Sequence, residues 1–127
     1  MGELCRELDL VPDLVLSSDS ARTRETFDLF AQSAGFAGEV RFLPELYHAS
    51  ASVLLESLAD AGPARRPLLL AHNPGMEDLF ERLSGEYERF PTAALAAFQL
   101  AIDDWHTPIR RDACQPAGLW RPKELPT

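Results

Sequence analysis

Cysteine is scarce in this chain. Only Cys5 and Cys114 occur, far apart and at no spacing suited to a zinc site or a dithiol redox motif. A disulfide framework is therefore excluded, and two reduced thiols are expected. Positive charge is also in deficit, with 12 Lys and Arg against 20 Asp and Glu and a formal net charge of −8. The isoelectric point is near 4.8. A nucleic-acid backbone or an anionic membrane surface would be repelled except at a locally basic pocket, so neither is an expected partner. A compact phosphorylated molecule is compatible with this balance. Long apolar runs are missing too, since no stretch approaches the roughly eighteen residues of a membrane span. No charged-then-apolar leader opens the chain. A cytoplasmic protein is the expectation. No metal-ligand spacing or cofactor motif appears either, so neither metal nor cofactor is expected.

The composition that remains is ordinary for a globular protein, with 46% hydrophobic and 25% charged residues. A chain of 127 residues can build one core between helices and is too short for two, so residues 1–127 are read as a single domain.

The stretch around which the rest is organised is Pro67 to Phe80. Pro67-Leu68-Leu69-Leu70-Ala71 is an apolar run that reads as a strand buried on both faces, and Met76 to Leu83 has helical spacing. His72 then stands at the carboxyl end of a central parallel strand, the edge at which ligands bind in open α/β sheets. Asn73, Pro74 and Gly75 form the turn, and the helix behind them would leave backbone N–H groups free for an anion. The competing reading is a histidine satisfied by hydrogen bonds at the end of a core strand.

From the N-terminus, Leu4, Cys5 and Leu8 have helical spacing without an N-cap signal, and the chain turns over Asp9 to Pro12. Asp13 to Ser18 reads as a short buried strand ending in two hydroxyls. Ser18 to Ala21 supplies capping groups for an amphipathic helix over Arg22 to Ser33, with Phe27 and Phe30 inward. Arg22 lies in the first turn, where the helix dipole disfavours a cation by roughly 0.3–1 kcal/mol. Either a bound anion or an ion pair with Asp19 or Glu25 would account for it.

Gly35 ends that helix, Glu39 to Leu43 forms a strand, and Pro44 to His48 leaves it as a loop. Ser50 or Ser52 caps a helix that Gly62-Pro63 stops, and Arg65-Arg66 reads as solvated loop without a function. Ala93 to Ile102 fits either a helix or a strand, and a strand continues the alternation. Asp103 to Pro108 is a turn, and Gly118 to Arg121 reads as a short edge strand. The sum is a three-layer αβα sandwich with a mainly parallel sheet.

Three stretches together resemble the histidine phosphatase superfamily, also called phosphoglycerate-mutase-like, and within it the SixA-like phosphohistidine phosphatase branch. They are Pro12-Asp13-Leu14-Val15-Leu16-Ser17-Ser18-Asp19-Ser20-Ala21-Arg22-Thr23-Arg24-Glu25-Thr26, then Leu43-Pro44-Glu45-Leu46-Tyr47, then Leu70-Ala71-His72-Asn73-Pro74-Gly75 with Phe90-Pro91-Thr92-Ala93 after it. Each alone is weak, but their order and spacing are specific, and the resemblance spans Gly2 to Leu125. It implies a phosphate pocket in which Arg22 is the second arginine and His72 the second histidine. Glu45 takes the position where some members keep a proton donor. Ser18, Asn73 and Gly75 would shape the turns around the phosphate. The implied activity is hydrolysis of a phosphomonoester or phosphoramidate through a phosphohistidine intermediate. A phosphorylated small molecule or a phosphohistidine protein would be the partner.

The departure lies in the nucleophile. The family carries it in an Arg-His-Gly motif after its first strand, and here none of His48, His72 and His106 follows an arginine. The expected explanation is a sequence that starts late and lacks the N-terminal strand, a unit of roughly forty residues. As given, the chain would then be inactive or severely impaired. The alternatives are a truncated protein that binds phosphorylated ligands without turnover, and His48 as a substitute nucleophile reaching in from a different loop.

Overall fold

The computed structural model describes residues 1–91 and 94–121. It opens with α1 (Gly2–Glu7), whose N-cap Met1 makes no side-chain capping bond. Strand β1 (Leu14–Ser18) follows and is buried at every position. Ser20 then caps α2 (Ala21–Ala34) by accepting from the Thr23 N–H, and Gly35 closes the helix at φ 67° in the left-handed region. Strand β2 (Glu39–Leu43) leads through a 3-10 turn at Pro44–Leu46 into α3 (Ala51–Ser57), capped by Ser50. Next come β3 (Pro67–Leu70) and α4 (Gly75–Ser84), then β4 (Leu95–Leu100) and β5 (Cys114–Trp120).

The first three strands form a parallel sheet in the order β2-β1-β3. Its register pairs Ser17 with Phe42 on one side and with Leu70 on the other. Alternation along β1 then sorts its side chains between two helical layers. Leu14 and Leu16 join Leu54 and Leu58 from the α3 region and Leu79 and Leu83 from α4 in one apolar cluster. On the opposite face Phe27 of α2 meets Phe42 edge to face, with ring centroids 5.8 Å apart. Helix α1 packs closely on α2, where a Cβ at Gly2 would stand 2.6 Å from the Phe30 carbonyl oxygen. An αβα arrangement around a parallel sheet is what the sequence pattern predicts. No helix among the described residues is long and apolar enough to cross a membrane.

Three features differ from expectation. The strand at the centre is β1; β3, expected there, lies at the edge of the sheet, and its residues are only half-buried. Strands β4 and β5 form a separate antiparallel pair with a bulge at Ala97/Phe98, and β5 begins four residues before the Gly118 at which an edge strand was expected. A cleft of about 1510 Å³ is lined by Leu68–Leu70 on one side and by Leu95–Gln99 on the other. Apolar sequence reads as strand whether or not a neighbour covers its far edge, so the pattern alone could not distinguish a central from an edge position. The Arg65-Arg66 pair, read as solvated loop, has a structural use. The Asp13 carboxylate accepts from both backbone N–H groups, and the Arg66 guanidinium donates to the Asp9 carbonyl at 2.8 Å. These bonds hold the entries of β1 and β3 side by side.

Leu16 is 1% exposed at the middle of the central strand and packs into the apolar cluster that it shares with α3 and α4. Leu16→Ala should cost about 2–5 kcal/mol, through lost burial and the cavity left behind. Urea denaturation followed by circular dichroism would measure it.

Candidate functional site

The carboxyl ends of β1 and β3 lie side by side because the two strands are parallel, with Ser17 opposite Leu70. One residue past that pair on β1 is Ser18, and two past it on β3 is His72. Their side chains meet, the Ser18 hydroxyl and His72 Nε2 sharing a 3.0 Å hydrogen bond. Ser18 is fully buried, so its hydroxyl has little choice of partner and fixes the imidazole plane. Thr23 in the first turn of α2 donates to the Ser18 carbonyl at 2.7 Å, which ties the helix start to the strand end. The sequence read these hydroxyls as caps; Ser20 is one, while Ser18 serves the histidine.

Arg22, one residue before Thr23 in the same turn, lines the cleft together with His72 and His48. The ion pair with Asp19 or Glu25 considered for it is not formed, because the Asp19 carboxylate is bound by Arg24. Among the described residues no side-chain hydrogen bond or ion pair engages the Arg22 guanidinium. A cation opposed by the dipole at a helix start, lining the same cleft as an imidazole, is suited to an anion.

Asn73 and Gly75 shape the turn differently from the expected anion cradle. The Asn73 amide donates to the Phe90 carbonyl and its oxygen accepts from the Glu77 N–H. The N–H groups of Met76 and Asp78 bond the His72 and Pro74 carbonyls. The start of α4 therefore spends these donors on its own turn, and the free N–H groups expected there from residues 76 to 78 are already taken. Gly75 is buried, and a Cβ on it would lie 2.1 Å from the Ala49 carbonyl oxygen. Its role is close packing of α4 against the loop before α3. The peptide bond between Asn73 and Pro74 is cis.

Glu45 is exposed in the 3-10 turn and does not line the cleft. The same loop instead delivers Tyr47 and His48. The Tyr47 ring lies 4.1 Å from that of His48 and 5.3 Å from that of His72, and the two imidazoles are 5.8 Å apart between centroids. Sequence reasoning considered His48 only as a nucleophile from another loop and gave Tyr47 no part. Their arrival depends on the path of the turn after β2, which spacing does not encode. Thr92 and Ala93, named in the resemblance, lie outside the described residues. No group of three or more His, Cys, Asp or Glu among the described residues could hold a metal ion.

Burial holds His72 below the usual imidazole range, and the positive charges of His48 and Arg22 push the same way. A folded-state depression means that the unfolded chain binds the proton more readily. The neutral histidine thus favours the fold above about pH 6.5, and that contribution is lost as pH falls through and below this value. Thermal melts should show a lower Tm at about pH 5.5 than at about pH 7.5, with a smaller difference in His72→Gln. Equal pH dependence in the two proteins would assign the effect to other groups.

No protein-family model matches the chain. In sequence it is 29% identical over 118 residues to an uncharacterized chloroplastic protein of Arabidopsis thaliana, a match covering 83% of this chain and 53% of the plant protein. The chain thus spans about half the length of that relative. Its fold matches a chain assigned as the phosphohistidine phosphatase SixA of Agrobacterium tumefaciens, with a TM-score of 0.76, 24% identity and coverage of 95% of this chain and 75% of that one. A second, assigned as SixA of Nakamurella multipartitia, matches with a TM-score of 0.81 at 20% identity over 95% of this chain and 77% of that one. A protein histidine phosphatase SixA complexed with tungstate matches with a TM-score of 0.72 at 18% identity, over 93% and 74% of the respective chains. The layered helices and the parallel sheet therefore belong to one known architecture: the chain has the fold seen in the SixA phosphohistidine phosphatase structures.

Proposed function

We propose that this chain carries the phosphoryl-binding half of a phosphohistidine-phosphatase-like hydrolase. Its substrates would be phosphomonoesters or phosphoramidates, on a small molecule or on a histidine-phosphorylated protein. The observation that carries the reading is the Arg22 guanidinium, unpaired among the described residues, facing the same cleft as an imidazole that Ser18 orients. That pairing supplies a planar fork for two phosphoryl oxygens and a ring nitrogen for a third. The tungstate complexed by one structural neighbour is an oxyanion of the same shape class.

In the full reaction a histidine nitrogen attacks phosphorus and the bond to the leaving group breaks with its electron pair, giving a phosphohistidine. Water then attacks phosphorus, the P–N bond breaks, and phosphate departs with the nitrogen neutral again. Charge on the equatorial oxygens is the main demand in such a transfer, and Arg22 and His72 meet it. In a complete enzyme, loss of either would cost about 3–4 kcal/mol of transition-state stabilisation. Glu45 has no part in this reading unless its turn swings toward the cleft. The nucleophile is the missing element, because no histidine in these 127 residues follows an arginine. We therefore read the chain as given as a binder of phosphorylated ligands without turnover.

Inorganic phosphate and tungstate should bind, and Arg22→Ala or His72→Ala should each weaken binding about 10- to 100-fold, the worth of a charge-assisted hydrogen bond. Isothermal titration checks this, and hydrolysis of p-nitrophenyl phosphate should stay at background. Turnover that His72→Ala abolishes would overturn the inactivity, whereas affinity indifferent to Arg22→Ala would overturn the site.

A further inference from the structure

Resting on the phosphoryl-binding reading above, we propose that His48 is a third anion-contacting group of the site, its imidazolium binding the phosphoryl oxygens beside His72 in the cleft that Arg22 also lines. The loop after β2 has no need to place a histidine there for packing. His48 is exposed, and it contributes nothing to the apolar cluster beneath it. Its backbone sits at φ 55°, in the left-handed region that few non-glycine residues occupy, though histidine tolerates it better than most. The residue lines the cleft. Tyr47 then buttresses it, lying edge-on to both imidazoles at 4.1 and 5.3 Å.

The spacing suits an anion held between the two rings. With centroids 5.8 Å apart and planes tilted by 35°, the rings are too distant for stacking contact with each other. One nitrogen from each can reach separate oxygens of a single tetrahedral ion at ordinary hydrogen-bond length. Without an anion, two imidazoles and a guanidinium around one cleft repel one another's charge, a repulsion that adds to the effect of burial in lowering the proton affinity of His72. A bound dianion reverses that repulsion, so binding and protonation of the imidazoles reinforce each other.

The groups facing His48 are few. Tyr47 comes from its own loop and His72 from the turn after β3, while Arg22 of α2 lines the same cleft. The first turn of α3 holds no acid, and Glu77 on α4 is turned away, its carboxylate accepting from the Phe90 N–H. No acidic group among these competes with an incoming anion for His48. The substrate class that follows is a phosphoryl group whose oxygens carry negative charge toward all three cations.

The test is isothermal titration of inorganic phosphate, and separately of tungstate, into the 127-residue chain at about pH 6 and about pH 8, with imidazole ¹⁵N shifts recorded alongside. Wild type should bind tungstate, which stays a dianion at both pH values, more tightly at the lower pH, with both the His48 and His72 ring resonances moving on binding. His48→Asn keeps a residue that accepts the left-handed backbone. It should weaken binding about ten-fold at pH 6 and much less at pH 8. His48→Lys should restore the pH 6 affinity and flatten the pH dependence, which a purely structural role for the ring would not produce. If His48→Asn binds like wild type at both pH values while Arg22→Ala and His72→Ala do not bind, the His48 assignment is wrong and the phosphoryl site stands. Failure of the wild-type chain to bind either ion would overturn both.

Discussion

Everything at the site depends on two parallel strands ending at the same level. Strand β1 lies between β2 and β3 in a register that brings Ser18 to the edge where His72 leaves β3. Parallel pairing keeps both carboxyl ends on one side, and the helix after each strand must start there. The start of α2 contributes Arg22, and the turn before α4 contributes His72. Shifting the register of β3 by one residue would carry the imidazole away from the hydroxyl and break the 3.0 Å bond that orients it.

The polar groups in these turns divide into two kinds of work. Ser20, Thr23, Asn73 and Glu77 satisfy backbone groups and hold the loops still. Gly75 lets α4 approach the Ala49 carbonyl more closely than any side chain would permit. With those obligations met locally, Arg22 and His72 are left to face the cleft, and His48, backed by the Tyr47 ring, lines it beside them. Such a site is held in place before any ligand arrives, the condition under which fixed dipoles and charges act most strongly on a transferring phosphoryl group. The cleft continues past this rim between β3 and β4, whose facing edges are unpaired among the described residues, and it exposes the leucines of β3 along its length.

Much of this was legible in the residues. Caps at Ser20 and Ser50, the αL stop at Gly35, and the apolar runs of β1 and β3 are local signals, and each element stands within a few residues of where its signal puts it. The placing of Arg22 at a helix start and His72 after a strand follows from the same signals. Harder to read were the use of Arg66, whose partners Asp9 and Val11 lie more than fifty positions away, and the length of β5, where Pro116 and Gly118 argue against a strand.

The sequence by itself determined most of the elements, the stretches that cap them and the αβα class, because those rest on backbone conformation and apolar spacing within a few residues. Tertiary structure alone decided that β1 and not β3 is central, that Ser18 rather than a backbone amide orients His72, and that His48 instead of Glu45 reaches the cleft. The physical reason is common to all three. Strand order and the path of a loop are settled by which distant surfaces bury against each other, and no local signal carries that choice.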